Sequence, residues 1–207
     1  EILHDEIRAI ICPDKLTSKQ WINIIETAHS VGLPTTSTIM FGHVERNSHV
    51  AHHLLKLLNL QQKTNGITEF VPLPFVADEA PIFRRGQARP GPTFKETILV
   101  HSVARILFQG QINNIQGSWV KMGLSGLKFL LSSGINDIGG VLMNESITRS
   151  AGASFGQELR LEEVEGIVNE LGLNLQQRNT LYDSLNSNLR DLITLQSIPL
   201  IPINNDY

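Results

Sequence analysis

One apolar, β-branched run constrains the fold of this chain more than any other segment. The run Thr36–Phe41 ends at Gly42 and is followed by two ionisable residues, His43 and Glu45. Apolar residues at helical spacing lie before the run and again after it. Because an α/β barrel carries its site at the carboxyl ends of its strands, this layout predicts an α/β fold with a site directly after the run.

The same layout repeats along the chain. The predicted strands are 36–41, 67–76, 114–120 and 137–143, and the predicted helices are 1–11, 18–30, 48–63, 93–108, 124–132 and 161–171. These segments make roughly four parallel strand–helix units, whereas a closed (β/α) barrel has eight. We therefore expect the C-terminal half of a TIM-like barrel, incomplete in this chain.

A half barrel leaves an open strand edge, here beside Thr36–Phe41, and an open edge is an aggregation liability. The remaining strands must come from a preceding N-terminal half or from a second copy. The chain starts at Glu1 without methionine, inside a helical pattern, which favours the preceding half. We expect residues 1–160 to form the barrel part, 161–182 a helical segment and 183–207 a polar tail.

Composition narrows the classes of function. With 17 Lys and Arg against 20 Asp and Glu, the net charge is −3, which predicts no nucleic-acid or anionic-membrane partner. No apolar run approaches the ~20 residues that span a bilayer, and no signal peptide opens the chain, so we expect a cytoplasmic protein. The single cysteine, Cys12, excludes a multi-cysteine metal site built by this chain alone.

Candidate site residues gather on two predicted strands. His43 and Glu45 are candidate catalytic residues, because histidine titrates near neutrality and can relay protons. A solvent-facing pair, or a Glu45 that favours a helix N-terminus, is an equal alternative. On the third strand, Gln116 and Ser118 offer an amide and a hydroxyl that can read the edges of a planar ring. Trp119, on the opposite face, is expected to pack against a helix.

The fourth predicted strand adds three candidate substrate-binding residues. Asn136 and Asp137 open this strand beside two glycines, which permit close approach to a ligand. Asn144 lies at its other end, nearer the rim. Asp137 can instead serve only to cap a turn.

Two further segments carry side chains that are interpreted as surface groups. The loop 77–92 is long for a compact domain and is therefore functional or mobile; its arginines at 84, 85 and 89 are interpreted as solvated charges rather than as a carboxylate clamp. The histidines at 49, 52 and 53 share one predicted helix but lack the acidic residue of a zinc-protease helix, so surface histidines are expected.

Several segments together carry a resemblance to a known family. They are 11–14 with Trp21, 34–45 (PTTSTIMFGHVE), 70–76 (FVPLPFV), 115–121 (IQGSWVK), 136–144 (NDIGGVLMN), 150–153 (SAGA) and 177–182 (QRNTLY). In this order they resemble radical S-adenosylmethionine enzymes of the FO synthase type, most of all the second subunit, from residue 1 to about residue 182. The aminofutalosine synthases of menaquinone synthesis are similar over fewer positions.

The resemblance implies a transferase that joins the 4-hydroxybenzyl group of tyrosine to 5-amino-6-(D-ribitylamino)uracil in the biosynthesis of FO, a deazaflavin. It implies two cofactors, S-adenosylmethionine and a [4Fe–4S] cluster whose cysteine ligands are not in this chain. The implied partners are the two substrates, the missing N-terminal half of the barrel and the other FO synthase subunit. This chain would then supply the wall that contacts S-adenosylmethionine and much of the substrate chamber.

One motif of the family falls on the first strand. Residues 38–45 (TIMFGHVE) resemble the G-x-I-x-G-x-x-E element that packs on the adenine of S-adenosylmethionine. The resemblance makes Thr38, Met40 and Gly42 candidate cofactor-binding residues, although Thr38 replaces the first glycine and Met40 the isoleucine. An ordinary strand end with a turn glycine is the alternative interpretation.

Two other functions remain open. An aminofutalosine synthase-like enzyme would differ in the rim residues after the third and fourth strands. A non-catalytic truncated fragment would lack the CxxxCxxC cluster motif upstream.

Overall fold

A computed structural model describes residues 1–140, 146–152 and 159–184. Within these ranges the chain is an α/β structure with a three-stranded parallel sheet, ordered β1-β2-β3. The strands are β1 Thr35–Phe41, β2 Ile67–Pro74 and β3 Asn114–Ile115. The helices are α1 Asp5–Ile11, α2 Ser18–Ser30, α3 Asn47–Thr64, α4 Pro81–Arg84, α5 Phe94–Leu107, α6 Trp119–Leu131, α7 Ile147–Ser150 and α8 Leu161–Glu170. The predicted α/β class is confirmed, whereas closure into a barrel stays a proposal.

The chain divides into two compact units, residues 1–171 and 172–207. The first unit holds the sheet and all the helices named above. In the second, the Arg178 guanidinium lies 4.2 Å from the centre of the Tyr182 ring. The predicted boundaries after residues 160 and 182 are not tested by this division. Within the described ranges, none of the helices combines the length and apolar character that crossing a membrane requires.

The two faces of the sheet differ. On one face Ser37, Phe70 and Ile115 are in register, and all three are buried. Helices α3 and α5 cover this face: the Phe70 ring lies 6.2 Å from the ring of His53 and 5.2 Å from that of Phe108, which follows α5. On the other face the side chains of β1 alternate outward, so that Thr36 and Thr38 are exposed and Met40 is half-buried.

Strand β1 is also an edge of the described sheet. The Thr35 N–H donates to Gly66 O over 2.9 Å, and Phe41 O accepts from Phe75 N over 2.8 Å. Since backbone groups alternate in direction along a strand, those of Thr36, Thr38 and Met40 point away from β2. The residues whose side chains lie on the uncovered face therefore also present their amides at the free edge.

The third predicted strand is wrong beyond its first residues. β3 covers only Asn114–Ile115, and Gln116 adds a single parallel bridge to Asp137. From Trp119 the chain is helical, and the indole N–H of Trp119 donates to Gly140 O over 3.2 Å. The sequence predicts a strand here because the periodicity of a short segment does not separate a strand from a helical turn.

Helix α6 therefore begins five residues before the predicted start at Leu124. Its interior contains Gly123 with φ 64° and ψ 177°, so two helical pieces meet across a kink, and the prediction found only the second piece. The fourth predicted strand is not found in its described part. Asp137 makes only the one bridge to Gln116. Residues 141–143 of this strand lie outside the described residues.

Part of the long loop 77–92 packs onto the strand ends, and we call its residues 89–92 the strap. Arg89 N–H donates to His43 O over 3.0 Å. Gly42 has φ +97°, and a Cβ on it would lie 2.2 Å from Cδ of Pro92. Gly91 has φ +99°, and a Cβ there would lie 2.7 Å from Phe75 O. Glycine is required at both positions by the left-handed backbone and by the close approach.

The prediction of surface histidines is wrong for His53, which is only 1% exposed. Its Nδ1 accepts the Leu3 N–H over 3.0 Å, and Lys56 Nζ donates to Leu3 O over 2.7 Å, so α3 holds the start of the chain. Burial lowers the pKa of His53 to about 3. His52 is exposed and His49 partly exposed, and the His49 ring lies 4.3 Å from that of His4.

We expect His53→Asn to flatten the pH dependence of stability. The unfolded chain protonates this histidine near 6.5 and the folded chain only near 3. Below pH 6.5 the unfolded state therefore binds more protons, and folding loses up to about 1.4 kcal/mol per pH unit. Asn keeps an acceptor for the Leu3 N–H but does not titrate. Urea unfolding between pH 7 and 4 measures the slope, with His52→Asn as the exposed control; equal slopes in both variants and the wild type would contradict this.

We expect Gly42→Ala to cost more stability than Gly86→Ala. Both glycines have positive φ, +97° and +70°, but nothing lies within 4 Å of a Cβ on Gly86. Gly86→Ala should therefore cost about 1 kcal/mol for the left-handed backbone alone, and Gly42→Ala about 2–4 kcal/mol because Pro92 must also move. Chemical denaturation of the two variants provides the comparison. Equal losses of unfolding free energy in the two variants would show that contact with Pro92 does not restrict residue 42.

Candidate functional site

The turn after β1 is built around the carboxylate of Glu45, whose side chain is 2% exposed. Oε1 accepts the Gly42 N–H over 2.6 Å and a guanidinium N–H of Arg89 over 3.2 Å. Oε2 accepts the His43 N–H over 2.9 Å. Burial by itself would raise the pKa of Glu45, but the hydrogen bonds from the Gly42 and His43 backbone N–H groups help to hold the pKa below its ordinary value.

His43 is turned inward and belongs to the same turn. Its ring is buried, with Nε2 3.0 Å from Met40 O, and its Nδ1 accepts the Val44 N–H over 2.7 Å. Nδ1 also lies 3.0 Å from Glu45 Oε2, so the ring contacts the carboxylate directly. Burial lowers the pKa of His43, which favours the neutral ring. The alternative of a solvent-facing pair with Glu45 is therefore wrong.

This geometry gives His43 and Glu45 a defined structural task. Each of the two side chains binds backbone groups of residues 40–44, so together they fix the path of the chain as it leaves β1. No described contact tests their predicted catalytic roles, which stay predictions. A buried neutral imidazole beside a carboxylate retains the capacity to exchange a proton if a substrate reaches it.

The three candidate cofactor-binding residues lie along one line. Thr38 and Met40 are on the uncovered face of β1, and Gly42 follows them. The direction in which a Cβ of Gly42 would point is filled by Pro92 of the strap. At Gly42 it is therefore Pro92, and not a ligand, that approaches the backbone closely. The side chains of Thr38 and Met40 form the surface of this segment that a ligand can contact.

Gln116 and Ser118 are brought to the sheet but not to β1. Strand β2 lies between, which places Gln116 about 10 Å from the line of Thr38 and Met40. The Gln116 Nε2 lies 2.2 Å from where a Cβ of Gly139 would be, so its amide packs on the Gly139 backbone. Ser118 is buried and occupies the N-cap position of α6, without a capping hydrogen bond from its side chain, rather than continuing a strand.

The fourth-strand candidates make local contacts. Asn136 Oδ1 accepts the Ile115 N–H over 2.9 Å and a guanidinium N–H of Arg105 over 2.6 Å, at the amino end of β3. Asp137 Oδ1 accepts the Gly139 N–H over 2.7 Å, which is the turn contact offered as its alternative role. Substrate binding by these two residues remains a prediction, and Asn144 lies outside the described residues.

A cleft of about 230 Å³ opens beyond the carboxyl end of β2, and sequence reasoning placed no site residue in it. Its walls are mostly apolar, with one ammonium group. They include Pro74, Phe75, Pro92, Phe94, Met122 and Lys121. The only sequence signal for this cleft was the proline- and glycine-rich loop 77–92, whose strap forms one wall.

Arg89 is the second feature that sequence reasoning missed. Its side chain is 36% exposed and pairs with Glu45 and Glu96, so the interpretation as a solvated charge is wrong. Arg84 pairs with Glu79 and Arg85 donates to Gln87 over 3.0 Å, both at the surface. No spacing rule in the sequence predicts which of the three arginines turns inward.

The sequence of this chain is similar to a known protein family and to known enzymes. The family described as the CofH/MqnC C-terminal region matches residues 64–190. The chain is 48% identical over 182 residues to the 5-amino-6-(D-ribitylamino)uracil–L-tyrosine 4-hydroxyphenyl transferase of Methanothermobacter thermautotrophicus, covering 88% of this chain and 50% of the relative.

Two further relatives extend the comparison. The transferase of the same name from Methanocaldococcus jannaschii is 48% identical over 185 residues, which cover 89% of this chain and 52% of that protein. The FO synthase of Nocardia farcinica is 46% identical over 182 residues, 88% of this chain and 21% of that protein. The chain thus spans about half the length of the transferases it matches. The predicted resemblance is confirmed, and the chain belongs to the family of the CofH/MqnC C-terminal region.

Proposed function

We propose that the protein carrying this chain is a radical S-adenosylmethionine transferase that joins the 4-hydroxybenzyl group of tyrosine to 5-amino-6-(D-ribitylamino)uracil. The observation that carries the proposal is the 48% identity with a transferase of that name over 88% of this chain. Since the chain spans half of that relative, the activity belongs to the whole protein, and this chain contributes part of the site.

The share of this chain is the exposed face of β1. Thr38 is exposed and Met40 half-buried on that face, which suits contact with the flat adenine of S-adenosylmethionine. When bound, S-adenosylmethionine supplies the radical that takes a hydrogen atom from tyrosine. Glu45 and His43 keep the end of β1 in place, and Gln116 lies across the same face as a candidate for the edge of the uracil.

The iron–sulfur cluster does not fit the residues of this chain. Three thiolates hold such a cluster, and this sequence has one cysteine, Cys12, which is 9% exposed at the end of α1. We place the ligands in the complementary half of the protein.

The complementary half is proposed to join along β1. That strand is the edge of the described sheet, with the amides of Thr36, Thr38 and Met40 directed outward. The segment before β1 also exposes large apolar side chains, which a packed neighbour would cover. They are Ile10, Leu16, Ile24, Val31 and Leu33, between 43% and 68% exposed. The other subunit of FO synthase remains a second candidate partner, which would take up the product.

The proposal is tested on the whole protein, reconstituted with iron and sulfide and supplied with S-adenosylmethionine, tyrosine and the diaminouracil. We expect 5′-deoxyadenosine and a coupled tyrosine–uracil product, measured by mass spectrometry. Met40→Glu should lower kcat/KM about tenfold or more, because it puts a charge on the wall proposed for the adenine. Leu55→Glu, which changes an exposed apolar residue of α3, is the control and should stay within about twofold.

Two outcomes of this assay would contradict the proposal. Absence of any tyrosine-dependent product would contradict the proposed transferase activity. A product from another substrate would favour the aminofutalosine synthase-like alternative. Equal activity of the Met40 and Leu55 variants would leave the transferase but remove Met40 from the wall.

A further inference from the structure

Arg89 contacts two elements, the turn after β1 and the first turn of α5. One arm of its guanidinium donates to Glu45 Oε1 over 3.2 Å, and the other donates to Glu96 Oε1 over 2.7 Å. Its own backbone N–H donates to His43 O over 3.0 Å. Arg89 therefore links the turn after β1 to the first turn of α5 through three hydrogen bonds.

Glu96, the partner of Arg89 in α5, is held in place by hydrogen bonds at the start of its helix. Glu96 is the third residue of α5, and its Oε2 accepts the Thr93 N–H over 2.6 Å, while Thr93 Oγ1 accepts the Glu96 N–H over 3.2 Å. This reciprocal capping box fixes the Glu96 carboxylate at the helix start. Arg89 thereby ties the turn to a helix terminus rather than to another loop.

The chemistry of the link favours arginine over lysine. The guanidinium is a planar fork whose separate N–H groups can serve two carboxylates at once, whereas an ammonium is a point charge on a flexible stem. Glu45 has a 2% exposed side chain, so removal of the guanidinium would leave a buried carboxylate with less compensation and with the Glu96 charge nearby. Without Arg89, we expect the turn of residues 42–45 to move, so that the Glu45 carboxylate becomes better solvated.

We propose that Arg89 is a positioning residue that holds the Gly42–Glu45 turn in the geometry required for S-adenosylmethionine to bind along Thr38 and Met40. The inference rests on the proposed function, because it assigns the cofactor to that face. It adds a residue from the strap, outside the first-strand motif, and a route from α5 to the cofactor wall. Arg89 itself is not placed in contact with the cofactor.

The test uses the whole protein, reconstituted with iron and sulfide, with four single variants and one double variant. Arg89→Ala removes the link and Arg89→Lys keeps one charge without the fork. Glu96→Gln removes the anion that Arg89 grips, yet glutamine still serves the capping box, so α5 keeps its start. Arg84→Ala is the matched control, since Arg84 lies in the same loop but pairs with the exposed Glu79.

Anaerobic equilibrium dialysis measures the dissociation constant of S-adenosylmethionine, and initial rates measure its KM and kcat. We expect Arg89→Ala to raise the dissociation constant and KM about tenfold with a smaller change in kcat, and Arg89→Lys and Glu96→Gln to raise them about threefold. The double variant Arg89→Ala/Glu96→Gln should be no weaker than Arg89→Ala alone, because both act through one pair. Arg84→Ala should bind as the wild type does.

Hydrogen exchange supplies a readout that does not depend on the cofactor. In Arg89→Ala and Arg89→Lys, the Gly42 and His43 amides, which donate to Glu45, should exchange faster than in the wild type, while the amides of α3 keep their protection. If Arg89→Ala exchanges faster throughout, it is unfolded, and Arg89→Lys with Glu96→Gln decides the matter.

The outcomes separate this inference from the proposed function. Wild-type protein that binds S-adenosylmethionine, together with Arg89 and Glu96 variants that bind it equally well, would overturn the positioning role and leave the function in place. Wild-type protein that does not bind S-adenosylmethionine would overturn both the function and the assigned role of the link. Additive losses in the double variant would show that the two residues act separately, which also overturns the proposal.

Discussion

The structure depends on a constraint that applies to parallel sheets in general, namely that both faces are covered and that each open edge is protected from pairing with other chains. On the face that carries Ser37, Phe70 and Ile115, helices α3 and α5 meet this requirement with buried apolar and aromatic side chains. The free edge of β1 has no partner among the described residues, and on the opposite face the side chains of Thr36 and Thr38 are exposed, whereas Glu69 and Val71 of β2 are buried. The transferases named above are about twice as long as this chain, and we propose that their additional length provides the partner for this edge.

The turn after β1 shows how a site can be held in place by groups that need not act on a substrate. The Glu45 carboxylate accepts hydrogen bonds from two backbone N–H groups of its own turn. The His43 ring contacts Met40 O and the Val44 N–H. The strap then covers Gly42 through Pro92. Burial of a carboxylate is costly unless its lone pairs are used, and here they are used almost entirely by backbone N–H groups and Arg89. The turn is thus a rigid base for the uncovered face of β1.

Much of the fold could be predicted from the sequence, because β1, β2 and most helices have strong periodicity and clear caps. The limits are physical: the segment 114–120 is too short for its periodicity to separate strand from helix, and in the structure it is helical from Trp119, whose indole N–H donates to Gly140 O. The candidate site was harder. The sequence placed Thr38, Met40 and Gly42 on one strand end, but it gave no sign that Arg89, forty-four residues after Glu45, would bind that residue. Nor did the sequence indicate that His53 lies in the core. His52 and His53 are adjacent in the same helix, yet His52 is exposed and His53 is buried.

The central claim is that further strands of the same protein continue the sheet beyond β1. The most direct test is native-state hydrogen exchange of the Thr36, Thr38 and Met40 amides in the whole protein, resolved by NMR or by mass spectrometry with fragmentation. If another strand pairs with β1, these amides should be protected as strongly as that of Thr35, which donates to Gly66 O. Exchange at the rate of open amides would show that the edge is free, and would contradict the barrel and the cofactor wall built on it.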